Sequence, residues 1–286
     1  LLNNKMYTLI TGGLGYIGSH IAAALKNKAI ILDNQINSKL DFRKNLPHCK
    51  VHIGNINQKN LDKIFLNRKI NKVIHMAGLK SVNESMSNPL KYYENNIYST
   101  IELLKSMNKF NINKLVFSSS ATVYGNNHIS PLKENMDLRS TNPYGSTKII
   151  LEKLIDDFSM SKRNFKAISL RYFNPIGSNT IYNLPEQPLG KPQNIMPVLI
   201  NSIRNKKIFQ IFGNNYNTKD GTCIRDYIHV QDLANAHIKS LKSFHKITGH
   251  EKFNIGSGRG YSVLELIKTF EKINRIQVNY VFKTYF

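Results

Sequence analysis

The chain of 286 residues is 41% hydrophobic, which is enough to build a buried core and excludes the composition of a disordered protein. Its formal charge of +22 is spread along the sequence without a dense basic block, and no apolar run approaches the roughly 18 residues of a membrane span. We therefore expect no nucleic-acid partner and no membrane partner. Cys49 and Cys223 stand alone without metal-ligand or redox spacing, so we expect free thiols in a reducing, cytoplasmic compartment.

Short β-branched apolar runs alternate with segments of helical spacing through the first 173 residues. Strands that alternate with helices are typical of an α/β protein whose parallel sheet is covered on both faces. The predicted strands cover residues 7–11, 29–33, 72–77, 114–120 and 166–171, and the predicted helices cover residues 89–109 and 143–158.

This alternation becomes less regular after residue 173, where a proline-rich stretch begins. Helices are predicted there over residues 195–205, 231–244 and 262–274, and strands over residues 208–213 and 252–257. Ser262 and Glu265 have the spacing of a capping box at the start of the last helix. We expect this part to form a smaller lobe beside the sheet, with some segments returning to the sheet.

Three glycines follow the first predicted strand, namely Gly12, Gly15 and Gly18 in the segment TGGLGYIGSH. Glycines at this spacing permit a tight turn between strand and helix, and they let a pyrophosphate approach the N–H groups at the start of the helix. The segment therefore predicts a Rossmann-type, doubly wound parallel sheet that binds a dinucleotide.

Asp33 ends the second predicted strand. A carboxylate at this place can accept hydrogen bonds from the hydroxyls of the adenosine ribose, and its charge would repel a 2′-phosphate. The sequence therefore predicts NAD rather than NADP as the cofactor.

Tyr144 and Lys148 lie four residues apart at the predicted start of a helix, so they share one helix face. Asn142 can cap this helix, and Pro143 suits its first turn. An ordinary phenol has a pKa near ~10 and is about 0.1% ionised at pH 7, whereas a nearby ammonium and the positive nicotinamide of NAD favour the phenolate. We expect the pKa of Tyr144 to be lowered, so that this residue can act as a general base for a substrate hydroxyl.

Ser120 ends the predicted strand 114–120, at the edge of the sheet where open α/β folds bind their ligands. Its hydroxyl could share the substrate proton with Tyr144, and Ser118 and Ser119 are the alternatives that would end the strand without touching substrate. Joined to a dinucleotide fold, these residues suggest hydride transfer. No group of His, Cys and carboxylate residues has metal-ligand spacing, so no metal site is predicted.

The motifs that contain these residues resemble the extended short-chain dehydrogenase/reductases and, within them, the UDP-glucose 4-epimerase family. The matching segments are TGGLGYIGSH, ILDNQINS, HMAGLKSVNES, SSSATVYG, NPYGSTK, RYFNPIG and IFGNNYNTKDGTCIRDYIHV. The resemblance implies an NAD-binding Rossmann domain over residues 1–173. It also implies a UDP-sugar-binding lobe over residues 174–286, interleaved with the sheet and incomplete at its C-terminus.

The same resemblance implies which residues contact NAD and substrate. The implied NAD contacts are Gly12, Gly15, Tyr16, Ile17, Gly18, Asp33, Asn34, Gln35, Ile36, Asn37, Ser38, Asn55, Ile56, Met76, Ala77, Gly78, Leu79, Lys80, Asn95, Lys148 and Phe173. The implied substrate contacts are Ser120, Tyr144, Asn174, Asn194 and Arg225, with Arg225 facing the diphosphate.

The implied reaction interconverts UDP-galactose and UDP-glucose through a 4-keto sugar, with Tyr144 as the base, Ser120 as its partner hydroxyl and NAD as the hydride carrier. The family forms homodimers through helices that correspond to residues 89–109 and 144–158. Where the related 4,6-dehydratases carry an acidic pair this chain has Ala121 and Thr122, which argues against dehydration.

Two alternatives stay open at this point. The chain could be a 4-epimerase of another UDP-sugar, such as an N-acetylhexosamine or a pentose derivative. It could also be a truncated, inactive NAD-binding remnant, because the family pattern continues with an Arg-Arg-x-Gly-Asp segment that this sequence does not contain. Asn55 stands where the family usually has Asp, and its amide can still bond an adenine edge.

Overall fold

The computed structural model describes residues 6–37, 42–126, 129–190 and 192–284. The strands are β1 (Tyr7–Thr11), β2 (Ala29–Asp33), β3 (Lys50–Ile53), β4 (Ile70–His75), β5 (Lys114–Ser120), β6 (Lys166–Tyr172), β7 (Asn174–Ile176), β8 (Phe209–Phe212), β9 (Ile224–His229), β10 (His250–Ile255), β11 (Gly260–Ser262) and β12 (Tyr280–Lys283). The α-helices are α1 (Tyr16–Leu25), α2 (Phe42–Asn45), α3 (Gln58–Asn67), α4 (Val82–Ser87), α5 (Pro89–Lys109), α6 (Pro143–Ser161), α7 (Ile195–Arg204), α8 (Val230–Ser243) and α9 (Val263–Asn274).

A seven-stranded parallel sheet forms the centre of the described chain, in the order β10-β6-β5-β4-β1-β2-β3. The strand order reverses between β1 and β4, so the chain leaves the carboxyl ends of these two neighbours in opposite directions. Such a reversal opens a crevice at the edge of the sheet, which is the usual ligand site of doubly wound folds. The predicted α/β fold class is confirmed.

Two apolar layers cover the sheet because successive residues of a buried strand point to opposite faces. On β1, Leu9 packs with α3, α5 and α6, whereas the next residue, Ile10, packs with α1 and α8. Both side chains are fully buried. This layering fixes α1 and α6 on opposite faces while their N-termini both lie at the carboxyl edge of the sheet.

A smaller cluster of apolar residues joins α7, β8 and α9 with Val278, which lies two residues before β12. The predicted capping box is present at the start of α9, where the Ser262 hydroxyl accepts from the Glu265 N–H and the Glu265 carboxylate accepts from the Ser262 N–H. The same part of the chain also forms a three-stranded sheet in the order β11-β9-β7.

Segments beyond residue 173 also belong to the large sheet, since β10 pairs with β6 and α8 packs on α1. The division into two lobes at residue 173 stays a prediction. The strand predicted over 72–77 is β4 and begins two residues earlier. Strand β3 escaped prediction because it lies at the edge of the sheet with exposed ends, so its sequence KVHI carries few apolar residues. No helix within the described ranges is long and apolar enough to cross a membrane.

Candidate active site

The turn after β1 brings the glycine segment against the loop after β4. Gly12 has φ +70°, and a Cβ there would lie 2.7 Å from the Ala77 nitrogen. A Cβ on Gly18 would lie 2.3 Å from the Gly12 carbonyl oxygen. Any larger residue at these two positions would push the backbones apart, so the glycines are needed for the close approach predicted from the sequence.

The first turn of α1 points free N–H groups into the same space. Gly15 is the N-cap residue, no side chain of the described chain caps this helix, and its first turn carries no acidic residue. Unpaired N–H groups and the positive end of the helix dipole favour a bound anion. A Cβ on Gly15 would meet only the Gly12 carbonyl oxygen, at 3.4 Å, which leaves room for a ligand.

Asp33 is held at the end of β2 by two backbone N–H groups. One carboxylate oxygen accepts from the Leu14 N–H at 2.9 Å and the other accepts from the Gln35 N–H at 2.7 Å. The residue is buried and lines the cleft at the carboxyl edge of the sheet. These bonds fix the carboxylate at the end of the second strand, the position that the sequence predicts for the ribose contact.

A cleft of about 650 Å³ opens along the carboxyl edge of the sheet. Nineteen of the predicted site residues line it: Gly12, Gly15, Tyr16, Ile17, Gly18, Asp33, Asn34, Ile36, Asn37, Asn55, Ile56, Met76, Ala77, Gly78, Leu79, Lys80, Asn95, Tyr144 and Lys148. The size of this cleft, its glycine turn and its buried carboxylate fit a dinucleotide.

The remaining predicted cofactor residues lie elsewhere or outside the described chain. Gln35 and Phe173 are not among the described residues that line the cleft. Phe173 lies between β6 and β7, where its N–H donates to the Ile255 carbonyl. Ser38 lies outside the described residues. The side chains of Asn34 and Asn55 are hydrogen-bonded to each other, because Asn34 Nδ2 donates to Asn55 Oδ1 at 2.8 Å.

The start of α6 is built as the sequence predicts. The Asn142 side chain accepts from the Gly145 N–H at 2.9 Å, and Pro143 occupies the first turn. This cap satisfies one of the unpaired N–H groups of the helix and fixes where the helix begins. Tyr144 and Lys148 then follow on one face, with the Lys148 ammonium 5.7 Å from the centre of the Tyr144 ring.

Lys148 is anchored to the neighbouring strand. Its ammonium donates to the Ser118 carbonyl at 2.7 Å and lies 4.9 Å from the centre of the Phe117 ring. The side chain is 4% exposed, and burial lowers the pKa of Lys148 to about 8, against the opposing effect of the Glu152 charge. The ammonium is therefore held in a fixed place rather than moving in solvent.

Tyr144 and Ser120 are brought together, as predicted. The Ser120 hydroxyl hydrogen-bonds the Tyr144 phenol and also accepts from the Thr122 N–H and hydroxyl, at 3.3 and 3.0 Å. The contact with Thr122 places Ser120 as the cap of a short 3₁₀ helix, Ala121–Tyr124. Ser120 itself is not among the described residues that line the cleft.

The expected lowering of the phenol pKa is wrong for the chain taken alone. Burial raises the pKa of Tyr144 above its ordinary value, and the hydrogen bond with Ser120 offsets only part of this rise. The physical reason is that desolvation of the phenolate outweighs a single neutral donor. The prediction relied on two positive charges, and one of them, the Lys148 ammonium, is directed at the Ser118 carbonyl.

Ser118 was assigned only a structural part from the sequence, yet it lines the cleft together with Tyr172, and the two hydroxyls are in contact. Residues that line the cleft and were not predicted are Leu32, Gly54, Asn57, Lys91, Glu94, Tyr98, Ser99, Ser118, Tyr172, Glu186, Gln187 and Pro188. Helical spacing from Asn95 could have indicated Tyr98 and Ser99. The segment 186–188 carries no such signal.

The other three predicted substrate residues lie on the smaller sheet and just before α7. Asn174 begins β7, Arg225 lies on β9, and these two strands pair in parallel. Asn194 is the N-cap residue of α7, but its side chain makes no capping hydrogen bond within the described chain. Its amide donates instead to Glu186, which lines the cleft. Asn174, Asn194 and Arg225 are all exposed, and none is among the described residues that line the cleft.

Within the described ranges, no three His, Cys, Asp or Glu side chains are placed to hold a metal ion. The groups that converge on the cleft are a phenol, a hydroxyl, an ammonium and the free N–H groups of α1. Such a set can bind a dinucleotide anion and move a proton at a substrate hydroxyl.

Residues 8–256 match the family model described as the NAD dependent epimerase/dehydratase family. The chain is 42% identical to a UDP-glucose 4-epimerase of Bacillus subtilis over 97% of its own length and 85% of that protein.

Two solved structures are also similar. The first is UDP-glucose-4-epimerase from Stenotrophomonas maltophila with bound NAD and formylated UDP-arabinopyranose, with a TM-score of 0.94 and 36% identity over 98% of this chain and 87% of that one. The second is UDP-glucose 4-epimerase from Bifidobacterium longum in complex with NAD+ and UDP, with a TM-score of 0.91 and 39% identity over 97% of this chain and 86% of that one.

Proposed function

This chain belongs to the NAD dependent epimerase/dehydratase family, and we propose that it is an NAD-dependent enzyme that interconverts UDP-galactose and UDP-glucose by inverting C4 of the sugar. The observation that carries this function is the meeting of Tyr144, Ser120 and Lys148 beside a dinucleotide cleft. The three side chains come from α6 and from the carboxyl end of β5, where the fold places catalytic groups.

When bound, NAD supplies reversible oxidation at C4, so that the sugar passes through a 4-keto state without net redox change. The residues that would hold NAD are the N–H groups of α1, Asp33 at the end of β2, and Lys148 on α6. Retention of the cofactor is essential, because each turnover needs the same molecule twice.

Tyr144 takes the proton from the 4-hydroxyl and returns it after the sugar has turned. A positioned general base contributes about 10²–10⁴-fold to rate. Because burial raises the pKa of Tyr144, the phenolate needs stabilisation, and Ser120 and Lys148 supply a hydrogen bond and a positive charge. Ser120 also orients the phenol, since its own position is fixed by Thr122.

We place the UDP part of the substrate against Asn174, Asn194 and Arg225. The guanidinium of Arg225 is exposed and can face a diphosphate. Asn194 connects this region to the cleft through its hydrogen bond with Glu186, which lines the cleft.

The proposal also includes a homodimer formed through α5 and α6. The two helices pack against each other and carry exposed apolar side chains, among them Leu90, Tyr98 and Ile150. A second copy of the chain is the occupant proposed for this face.

We further propose a cytoplasmic location, because NAD, UDP-sugars and the free thiols of Cys49 and Cys223 suit a reducing compartment.

The test is conversion of UDP-galactose to UDP-glucose by the purified chain, followed by chromatography of the nucleotide sugars, with bound NAD released and assayed from the same sample. Conversion at a rate that needs no added redox reagent is expected. Bound NAD without conversion would contradict the proposed activity. UDP-N-acetylgalactosamine and a UDP-pentose are run in parallel, and conversion of one of these alone would replace the proposed substrate.

A further inference from the structure

A fully buried ion pair lies directly behind the proposed catalytic residues. Glu152 of α6 and Arg171 of β6 are 2% and 3% exposed. The Arg171 Nε donates to Glu152 Oε1 at 2.9 Å, and Nη2 donates to Oε2 at 2.6 Å, so the pair is bidentate. The remaining Nη1 donates to the Tyr124 hydroxyl and to the Glu134 carbonyl, at 2.9 and 3.0 Å.

Stability alone does not explain such a pair. Removing two charges from water is costly, and apolar residues of similar size often stabilise a core as well or better. The cost is met here by a set of hydrogen bonds that engage both carboxylate oxygens and most of the guanidinium N–H groups. This pair differs from a purely structural one because Glu152 lies next to the residues proposed for catalysis.

Glu152 reaches the strand that carries Ser120. The Ser119 hydroxyl donates to Glu152 Oε1 at 2.5 Å, and Ser119 is fully buried. On one side of Ser119, the Ser118 carbonyl accepts from Lys148. On the other side, Ser120 bonds the Tyr144 phenol. Glu152 therefore holds the single residue that lies between the two serines of β5 that contact Lys148 and Tyr144.

Glu152 also lies on the catalytic face of its own helix. Tyr144, Lys148 and Glu152 follow each other at four-residue steps on α6, so their side chains form one row. The Glu152 charge raises the pKa of Lys148 against the larger lowering that burial causes. One carboxylate thus acts on Lys148 through its charge and on Ser120 through Ser119.

We propose that Glu152, fixed by Arg171, is a positioning residue of this active site: it sets the distance between α6 and the end of β5 and supplies the negative charge that faces Lys148. This inference rests on the proposed function for its effect on turnover. Its electrostatic part rests only on the geometry of the ion pair and of Lys148.

The groups that face Lys148 from each packed element are consistent with this role. Tyr144 and Glu152 face it from α6, His75 from β4, and Tyr172 from β6 lies beside Ser118. Burial first, and the charge of Lys148 second, lower the pKa of His75 to about 3, so this imidazole stays neutral. Burial raises the pKa of Tyr172, so its phenol stays protonated. Glu152 is the carboxylate of this set, and it is held in an ion pair with Arg171.

The test uses double substitutions, because removing one partner alone would leave a buried charge unpaired. Glu152→Leu with Arg171→Met removes both the charge and the hydrogen bond to Ser119. Glu152→Gln with Arg171→Met removes the charge and keeps an oxygen that can accept from Ser119. Lys153→Gln with Asp157→Asn is the matched control, since this ion pair lies exposed on the same helix.

For the Leu/Met variant we expect kcat for UDP-galactose to fall about 100-fold with KM unchanged, as a misplaced catalytic group predicts. The Gln/Met variant should lose less, because Ser119 keeps its partner. The control pair should match the wild-type enzyme. In all forms that fold, the amount of bound NAD should stay near that of the wild-type protein.

A second readout needs no turnover. The titration of Lys148 is followed by NMR in protein with ¹³C-labelled lysine and assigned with Lys148→Met. We expect a midpoint near 8 in the wild-type protein and a lower midpoint in both Glu152 variants, since the raising effect of the carboxylate is lost. The alkaline limb of the kcat profile should move to lower pH in the same variants.

Unchanged kcat together with an unchanged Lys148 midpoint would overturn the proposal and leave the proposed function intact. A wild-type protein without epimerase activity would contradict the proposed function, whereas a lower Lys148 midpoint in the variants would still support the electrostatic role of Glu152. If the Leu/Met variant fails to fold, the Gln/Met variant decides by the same two readouts.

Discussion

The environment of Tyr144, the proposed base, determines how readily its phenol ionises. Its phenol is partly exposed to the cleft, yet the surrounding protein raises the pKa above its ordinary value. A base that is hard to ionise becomes usable where positive charge is concentrated, and Lys148 is buried one helical turn away. Burial thus disfavours the charged form of both residues, and a nearby ammonium is the kind of group that stabilises a phenolate.

Replacing Tyr144 by Phe should abolish turnover while NAD stays bound. The change removes only the hydroxyl, so the cleft keeps its shape, and loss of the base lowers kcat by about 10²–10⁴-fold or more. Epimerase kinetics and the NAD content of the purified variant measure the two effects. Tyr280→Phe on β12 is the control and should match the wild-type enzyme. Retention of more than a few per cent of the activity by the Tyr144 variant would show that another group is the base.

Asp33 should make the chain select NAD over NADP. Its carboxylate is fixed by two backbone N–H groups and cannot swing away from a 2′-phosphate, so the repulsion persists in the bound state. We expect NAD to bind at least about tenfold more tightly, which corresponds to about 1.4 kcal/mol. Calorimetry of the cofactor-free protein with both dinucleotides measures the ratio. Equal affinities would show that the adenosine ribose lies away from Asp33.

Among the elements, α6 positions Tyr144 and Lys148 because its N-terminal part is held at two points. The Asn142 cap sets where the helix begins, and the Lys148 bond to Ser118 sets how the helix lies against β5. Leu151 and Ile155, which are buried in the layer beneath the sheet, hold the rest of the helix. A shift of the first turn would therefore move Tyr144 while Leu151 and Ile155 kept their places in the core.

Asn142→Ala should lower both stability and kcat, whereas Ser262→Ala should lower stability alone. Each change removes one N-cap, from α6 and α9 respectively, at a cost of about 1 kcal/mol. Only the first cap lies next to Tyr144, the proposed base. Thermal unfolding and kcat for UDP-galactose are measured on both variants. Similar kcat values in the two variants would mean that the cap of α6 stabilises the fold without positioning Tyr144.

At the scale of the whole molecule, the parallel sheet determines which distant segments meet. Strands β1, β2, β4 and β5 end at one edge, so the turn at Gly12, Asp33, the loop from Met76 and Ser118 are gathered along one cleft. The outer surface of α5 and α6 is apolar at places that the core does not use, and this is the face proposed for a second copy.

Charge placed on this face should convert a dimer to monomers. We expect Leu90→Glu combined with Ile150→Glu to halve the mass measured by light scattering, because two carboxylates would be desolvated at the interface. Ile273→Glu, on an α9 position that is 73% exposed, is the control and should leave the mass unchanged. A wild-type protein that is monomeric at micromolar concentration would contradict the dimer directly.

Much of the fold followed from local patterns. The strands β1, β2 and β5 and the helices α5 and α9 lie where apolar runs, periodicity and caps indicated. Patterns failed where a strand was at an edge, as for β3, because a half-exposed strand needs few apolar residues. Ile150 was not distinguishable from the buried residues beside it, since helical spacing does not say whether a face meets the core or a partner.

Local sequence was enough to predict the turn at Gly12, the cap at Asn142 and the spacing of Tyr144 and Lys148, because these depend on residues within one or two turns of each other. Tertiary structure alone decided that the Lys148 ammonium faces the Ser118 carbonyl, that burial raises the pKa of Tyr144, and that Glu152 meets Arg171 and Ser119. Desolvation and long-range hydrogen bonds depend on which segments pack together, and no local pattern contains that information.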